Sequence, residues 1–75
     1  MELYRNPNGF SIRGKYQTVR VEIVAIDGRR NAAIYESKES PDYPIFIEPH
    51  NDAELYRIAY HYASQSARFE FHPYG

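Results

Sequence analysis

The chain contains no cysteine and no tryptophan, and only one methionine. Without cysteine there is neither a disulfide framework nor thiolate chemistry, so a reducing compartment is permitted. There is no long hydrophobic run. No stretch approaches the roughly 20 apolar residues that a membrane-spanning helix needs, so no membrane role is expected. The opening Met-Glu-Leu-Tyr-Arg has no charged leader with an apolar run behind it, and the closing Phe-His-Pro-Tyr-Gly resembles no address tag. The expected location is the cytoplasm. Glycine is sparse, and all four copies sit at turn positions or the terminus, so no glycine-rich loop can cradle a phosphate. A net charge of −1 and a pI near 6.3 argue against a dedicated polyanion binder.

What is present is aromatic. Eight tyrosines and four phenylalanines bring the aromatic fraction to 16% within a hydrophobic fraction of 43%, which suits a packed core and excludes disorder. At 75 residues the chain is one domain, near the lower size limit for folding without covalent or metal staples. Charge is unevenly placed. Six bases against three acids up to Tyr35 leave +3 there, and three bases against seven acids from Glu36 onward leave −4. The first reading of this split is two solvated halves; the alternative is that one end of the fold attracts anions, or that copies meet end to end.

The clearest local signal is Asn51-Asp52-Ala53-Glu54. Asn51 can accept a bond from the Glu54 amide, and Glu54 can reach back to the Asn51 amide, which marks a helix start. The helix is expected from Asp52 to Ser66. Leu55, Ala59, Tyr62, Ala63 and Ser66 form its apolar stripe, widened by Tyr56 and Ile58, with Glu54, Arg57, His61 and Ser64 opposite. The rest reads as strands and turns. Asn6-Pro7-Asn8-Gly9 suits a type I turn closed by a glycine bulge, between Leu3-Tyr4-Arg5 and Phe10-Ser11-Ile12-Arg13. Gly14 is expected as a bend before Tyr16 resumes the strand. From Gln17 to Ile26 the chain alternates, with Val19, Val21, Ile23 and Ala25 on one face and Arg20 and Glu22 on the other. Asp27-Gly28 predicts a second hairpin turn, with Ala32 to Glu36 as the returning strand. Ser37 to Asp42 reads as a polar loop. Tyr43 to Glu48 reads as an edge strand on account of Pro44, and Arg68 to His72 as a last strand. These elements predict an α+β domain, a twisted antiparallel sheet in the order ββββαβ with one helix packed across one face.

One helix covers one face only. Val24, Ile26, Tyr35 and Phe46 belong to the other face and need a different cover. Either the N-terminal hairpin folds over them with Tyr4, Phe10 and Ile12, or the face receives a partner, which is a second copy in a homodimer or a different protein.

Catalytic and metal constellations are weak. His50 and His61 would lie about 16 Å apart along the helix axis, at roughly 1.5 Å per residue, and cannot share one ion with bonds of about 2 Å. His72 adds regular spacing but no ligand pair. Glu54, Arg57 and His61 are helix-face neighbours and read as a solvated charge ladder rather than an acid–base site. No metal, no cofactor and no enzymatic activity are expected. Arg13, Lys15, Arg20, Arg29 and Arg30, interleaved with Tyr16 and Tyr35, admit an RNA- or DNA-binding module in the basic hairpin half. The reading favoured over it is a small regulatory or inhibitory protein that docks on a larger protein. Phages and mobile elements direct inhibitors of this size at host defence or regulatory systems. Tyrosine and arginine are the residue types that anchor interfaces, which singles out Arg20, Arg29, Arg30, Tyr35 and Phe46 as the expected partner-binding residues.

Overall fold

A computed structural model describes residues 2–38 and 40–64. It is an α+β fold, in which five antiparallel strands precede one helix. The strands are β1 (Glu2–Asn6), β2 (Gly9–Arg13), β3 (Thr18–Ile26), β4 (Arg29–Glu36) and β5 (Ser40–Ile47), and the helix is α1 (Asp52–Ser64). Their order across the sheet is their order in the chain, β1-β2-β3-β4-β5. That is one strand more before the helix than the expected order. The strand expected at Arg68 to His72, and Ser66 on the helix, lie outside the described residues.

The turns follow from their residues. Asp27 and Gly28 have φ of 52° and 75°, the positive values of a type I′ turn, whose twist matches the strands it joins. The first hairpin departs from expectation. Pro7 and Asn8 form a two-residue link, Gly9 pairs in register with Asn6, and Gly9 does not take a positive φ. Glycine stands there for room instead, because a Cβ at Gly9 would lie 2.0 Å from the Val21 carbonyl oxygen. Gly14 likewise does not bend a continuing strand. β2 stops at Arg13, and a Cβ at Gly14 would come within 2.5 Å of the Ala63 backbone, where the helix end crosses. The polar loop is shorter than expected, because β5 already begins at Ser40.

Alternation sorts the strands into two faces. On the helix side lie Phe10 and Ile12 of β2, Val19 and Val21 of β3, Ala32 and Ile34 of β4 and Ile47 of β5. They meet Leu55, Ile58, Ala59, Tyr62 and Ala63 in one core. Small Ala59 and Ala63 let the helix sit close to the sheet, and the Phe10 and Tyr56 rings stack at 4.7 Å between centroids. The N-terminal hairpin therefore continues the sheet rather than folding over its second face. Phe10 and Ile12 are spent on the helix-side core, which is why they cannot cover the opposite one.

Both helix ends receive hydrogen bonds from outside the helix. At the start, the Glu54 amide donates to Asn51 Oδ1 at 2.8 Å, and Glu54 Oε1 accepts from the His50 amide at 3.1 Å, one residue earlier than the expected reciprocal bond. At the far end, the amides of Tyr16 and Gln17 both donate to the Ala63 carbonyl, at 2.9 and 3.0 Å, and Gln17 Nε2 donates to the Tyr62 carbonyl at 2.9 Å. Gln17 is buried and also bridges Glu36 Oε2 at 3.1 Å and the Lys38 amide at 2.9 Å. No described helix is long and apolar enough to cross a membrane.

Candidate functional site on the open sheet face

The face away from the helix is built by the even-numbered residues of β1 and β3, the odd-numbered residues of β2 and β4, and Phe46 of β5. Register places Tyr4, Ser11, Arg20 and Tyr35 side by side in one row across four strands. Asn6, Gly9, Glu22, Ala33 and Phe46 form the next row across all five. Val24 and Ile26 continue β3 toward the turn, beside Asn31 and Arg29. Among the described residues no helix or strand packs over this face, although Ala33 is itself buried to 1% by its neighbours and Tyr35 and Val24 are half-buried. Phe46 is 55% exposed, Tyr4 48% and Ile26 40%.

Arg20 sits at the centre, with its guanidinium carbon 4.0 Å from the centroid of the Tyr35 ring and an ion pair to Glu22 on the same strand. The stacked geometry holds a flat cation over an aromatic face and leaves its edge donors available. Tyr4 bonds Glu2 through its hydroxyl, and Asn6 Nδ2 donates to Ser11 Oγ at 3.1 Å. Arg29 lies 3.7 Å from Glu48. Arg13, Arg20 and Arg29 are therefore set among Glu2, Glu22 and Glu48, so the face is amphipathic and electrically balanced rather than basic.

Of the five residues singled out by sequence, Arg20, Tyr35, Phe46 and Arg29 share this face. Arg30 does not. Strand alternation turns it to the helix side, where its Nη2 meets Asp52 Oδ1 at 2.6 Å and ties β4 to the helix start. Arg29 and Arg30 thus belong to opposite faces of β4. Tyr4 was missed as a site residue, being assigned to a cover; its two-residue spacing from Glu2 and Asn6 is the signal that puts it beside Arg20.

Other constellations dissolve in three dimensions. Tyr16 is covered by the Lys38 ammonium, 4.6 Å from its centroid, so it presents no free stacking platform. Glu54 accepts a bond from the His50 amide at the helix start. Among the described residues no three metal-binding side chains gather; His72 lies outside them. Comparison with protein-family models, curated proteins and solved structures finds no match for this chain.

Proposed function

We propose that this chain is a non-catalytic regulatory or inhibitory protein that docks on a larger protein through its open sheet face. The observation that carries this reading is the row of Tyr4, Arg20 and Tyr35 with Phe46 beside it, in which Tyr4, Arg20 and Phe46 are exposed and Tyr35 lies half-buried beneath the Arg20 guanidinium. Tyrosine and arginine dominate binding hot spots because each brings large contact area with directional donors at small cost in side-chain freedom. Docking of this kind acts by occupying a target surface and needs no chemistry of its own.

The experiment is cross-linked capture by the full chain from a nuclease-treated host lysate, compared with the triple variant Arg20→Ala, Tyr35→Ala and Phe46→Ala. A specific protein captured by the native chain, and lost in a triple variant that still melts cooperatively, supports the reading. Equal capture by both chains removes the open face from the interface. The nucleic-acid alternative has its own readout: retention on heparin that collapses with modest salt, as counterion release requires. The ion pairs of Arg20 and Arg29 with acids on the same face weigh against it. A homodimer seen by sedimentation, and abolished by the triple variant, would make the second copy the occupant.

A further inference from the structure

The two edges of the sheet are finished differently. β5 carries Pro44, and the alternation of bonded pairs, Ala32 with Ile47 and Ile34 with Ile45, puts the proline nitrogen on the outward side, where a missing N–H blunts the edge. β1 contains no proline. Its bonded pairs run from the closing Asn6–Gly9 through Tyr4–Ser11 to Glu2–Arg13, which turns the N–H and C=O of Leu3 and Arg5 outward.

Beside that outward edge runs a groove between β1 and α1, with a volume of about 490 Å³, lined by Leu3, Arg5, Ile12, Tyr56, Arg57 and Tyr60. Four of these supply an apolar wall and two supply guanidinium groups, with no acid among them. Arg20, Arg29 and Arg30 each have a carboxylate partner. Among the described residues Arg5 and Arg57 have none. Among the described residues the groove is thus an apolar channel with two unmatched positive charges, flanked by backbone groups that no described strand pairs.

The geometry points to a second binding site here, for an extended acidic segment of a partner protein that adds to the sheet along β1. Strand addition satisfies the Leu3 and Arg5 backbone. On such a segment alternate side chains face the groove, so an aromatic or large aliphatic residue enters between Tyr56 and Tyr60 while a carboxylate two positions away meets Arg5 or Arg57. The site is separate from the open face, and the two stand or fall independently.

The test uses the full chain and an acetylated heptapeptide, Thr-Phe-Thr-Glu-Thr-Phe-Thr, whose phenylalanines and glutamate share one face. The readout is the amide spectrum of the protein. Saturable shifts at Leu3 and Arg5 are expected. Affinity should fall by about tenfold or more when lysine replaces the peptide glutamate, or with Arg5→Gln or Arg57→Gln, since a charge-assisted bond is lost. Both arginines are exposed, so unchanged melting temperatures will separate lost binding from lost fold. A peptide N-methylated at every internal residue, which offers no N–H from either edge of its strand, should not bind. The proposal is overturned by absence of shifts at millimolar peptide, by equal binding of the lysine or N-methylated peptides, or by close contacts in the free protein between Leu3 or Tyr60 and the chain's own residues 65–75.

Discussion

The same strands make both faces of this sheet, and the faces are finished in opposite ways. On the helix side, β2, β3 and β4 present small aliphatic groups and one phenylalanine, and Val19, Val21, Ala32 and Ile34 reach full burial against α1. On the open side the same strands present Ser11, Arg20, Glu22, Asn31 and Tyr35, with Phe46 and Tyr4 from the edges. Stability is concentrated on the first face, because burial of apolar area drives folding. The second carries Arg20, Tyr35 and Phe46, which lie outside that core. On the proposed reading, that division leaves the docking surface free to change without loss of the scaffold.

The largest effects should come from the covered face. Ile34→Ala and Leu55→Ala should each cost about 2–5 kcal/mol through lost burial and the cavity left behind, enough to unfold much of a domain this small. Urea denaturation would measure it, and a loss no larger than that of Arg57→Ala would place the core elsewhere. Next comes Gln17→Ala, which strips bonds from the Tyr62 carbonyl, the Lys38 amide and the Glu36 carboxyl group together. About 2 kcal/mol is expected, since three hydrogen bonds of one buried side chain are lost together. Full retention of the urea midpoint would mean that water replaces the amide at no cost.

Asn51→Ala should cost about 1 kcal/mol, the usual loss for a helix cap; thermal melting resolves a change of that size in a small domain. The smallest effects belong to the open face. Phe46→Ser and Arg29→Ala should each shift stability by no more than about 0.5 kcal/mol, and Arg30→Ala should differ little from Arg29→Ala, since its pair with Asp52 is exposed. An unfolded Phe46→Ser protein would break the contrast between faces, because it would make the open side part of the core.

What could be read from the sequence was what local chemistry dictates. The Asn51 cap, the Asp27-Gly28 turn, the alternation through Val19 and Val21, and the stripe from Leu55 to Ala63 each depend on residues a few positions apart. The direction in which the first hairpin travels was not legible, because it is decided by Phe10 and Ile12 meeting a helix some forty residues further on. Gly14 looked like a bend for the same reason, its real constraint being the Ala63 backbone. Gln17 looked like an ordinary strand start, although its side chain holds the helix end. In the candidate site, the separation of Arg29 from Arg30 was available from the two-residue period of a strand. The stacking of Arg20 on Tyr35 needed the register of β3 on β4.

The sequential order of the strands bears on how the chain reaches this structure. Every strand pairs with its chain neighbour, so each hairpin closes a short loop and gains its backbone bonds at little entropic cost. The links that join distant parts are those between α1 and the sheet, with Gln17 and Tyr62 separated by 45 residues. Topologies rich in local contacts fold fast, and loop closure slows those that are not. The expected order of events is therefore a sheet that zips outward from the Asp27-Gly28 turn, with docking of the helix as the committing step. Substitutions at the Gln17 and Ala63 junction would then act on the folding rate, and those at the open face would leave it untouched.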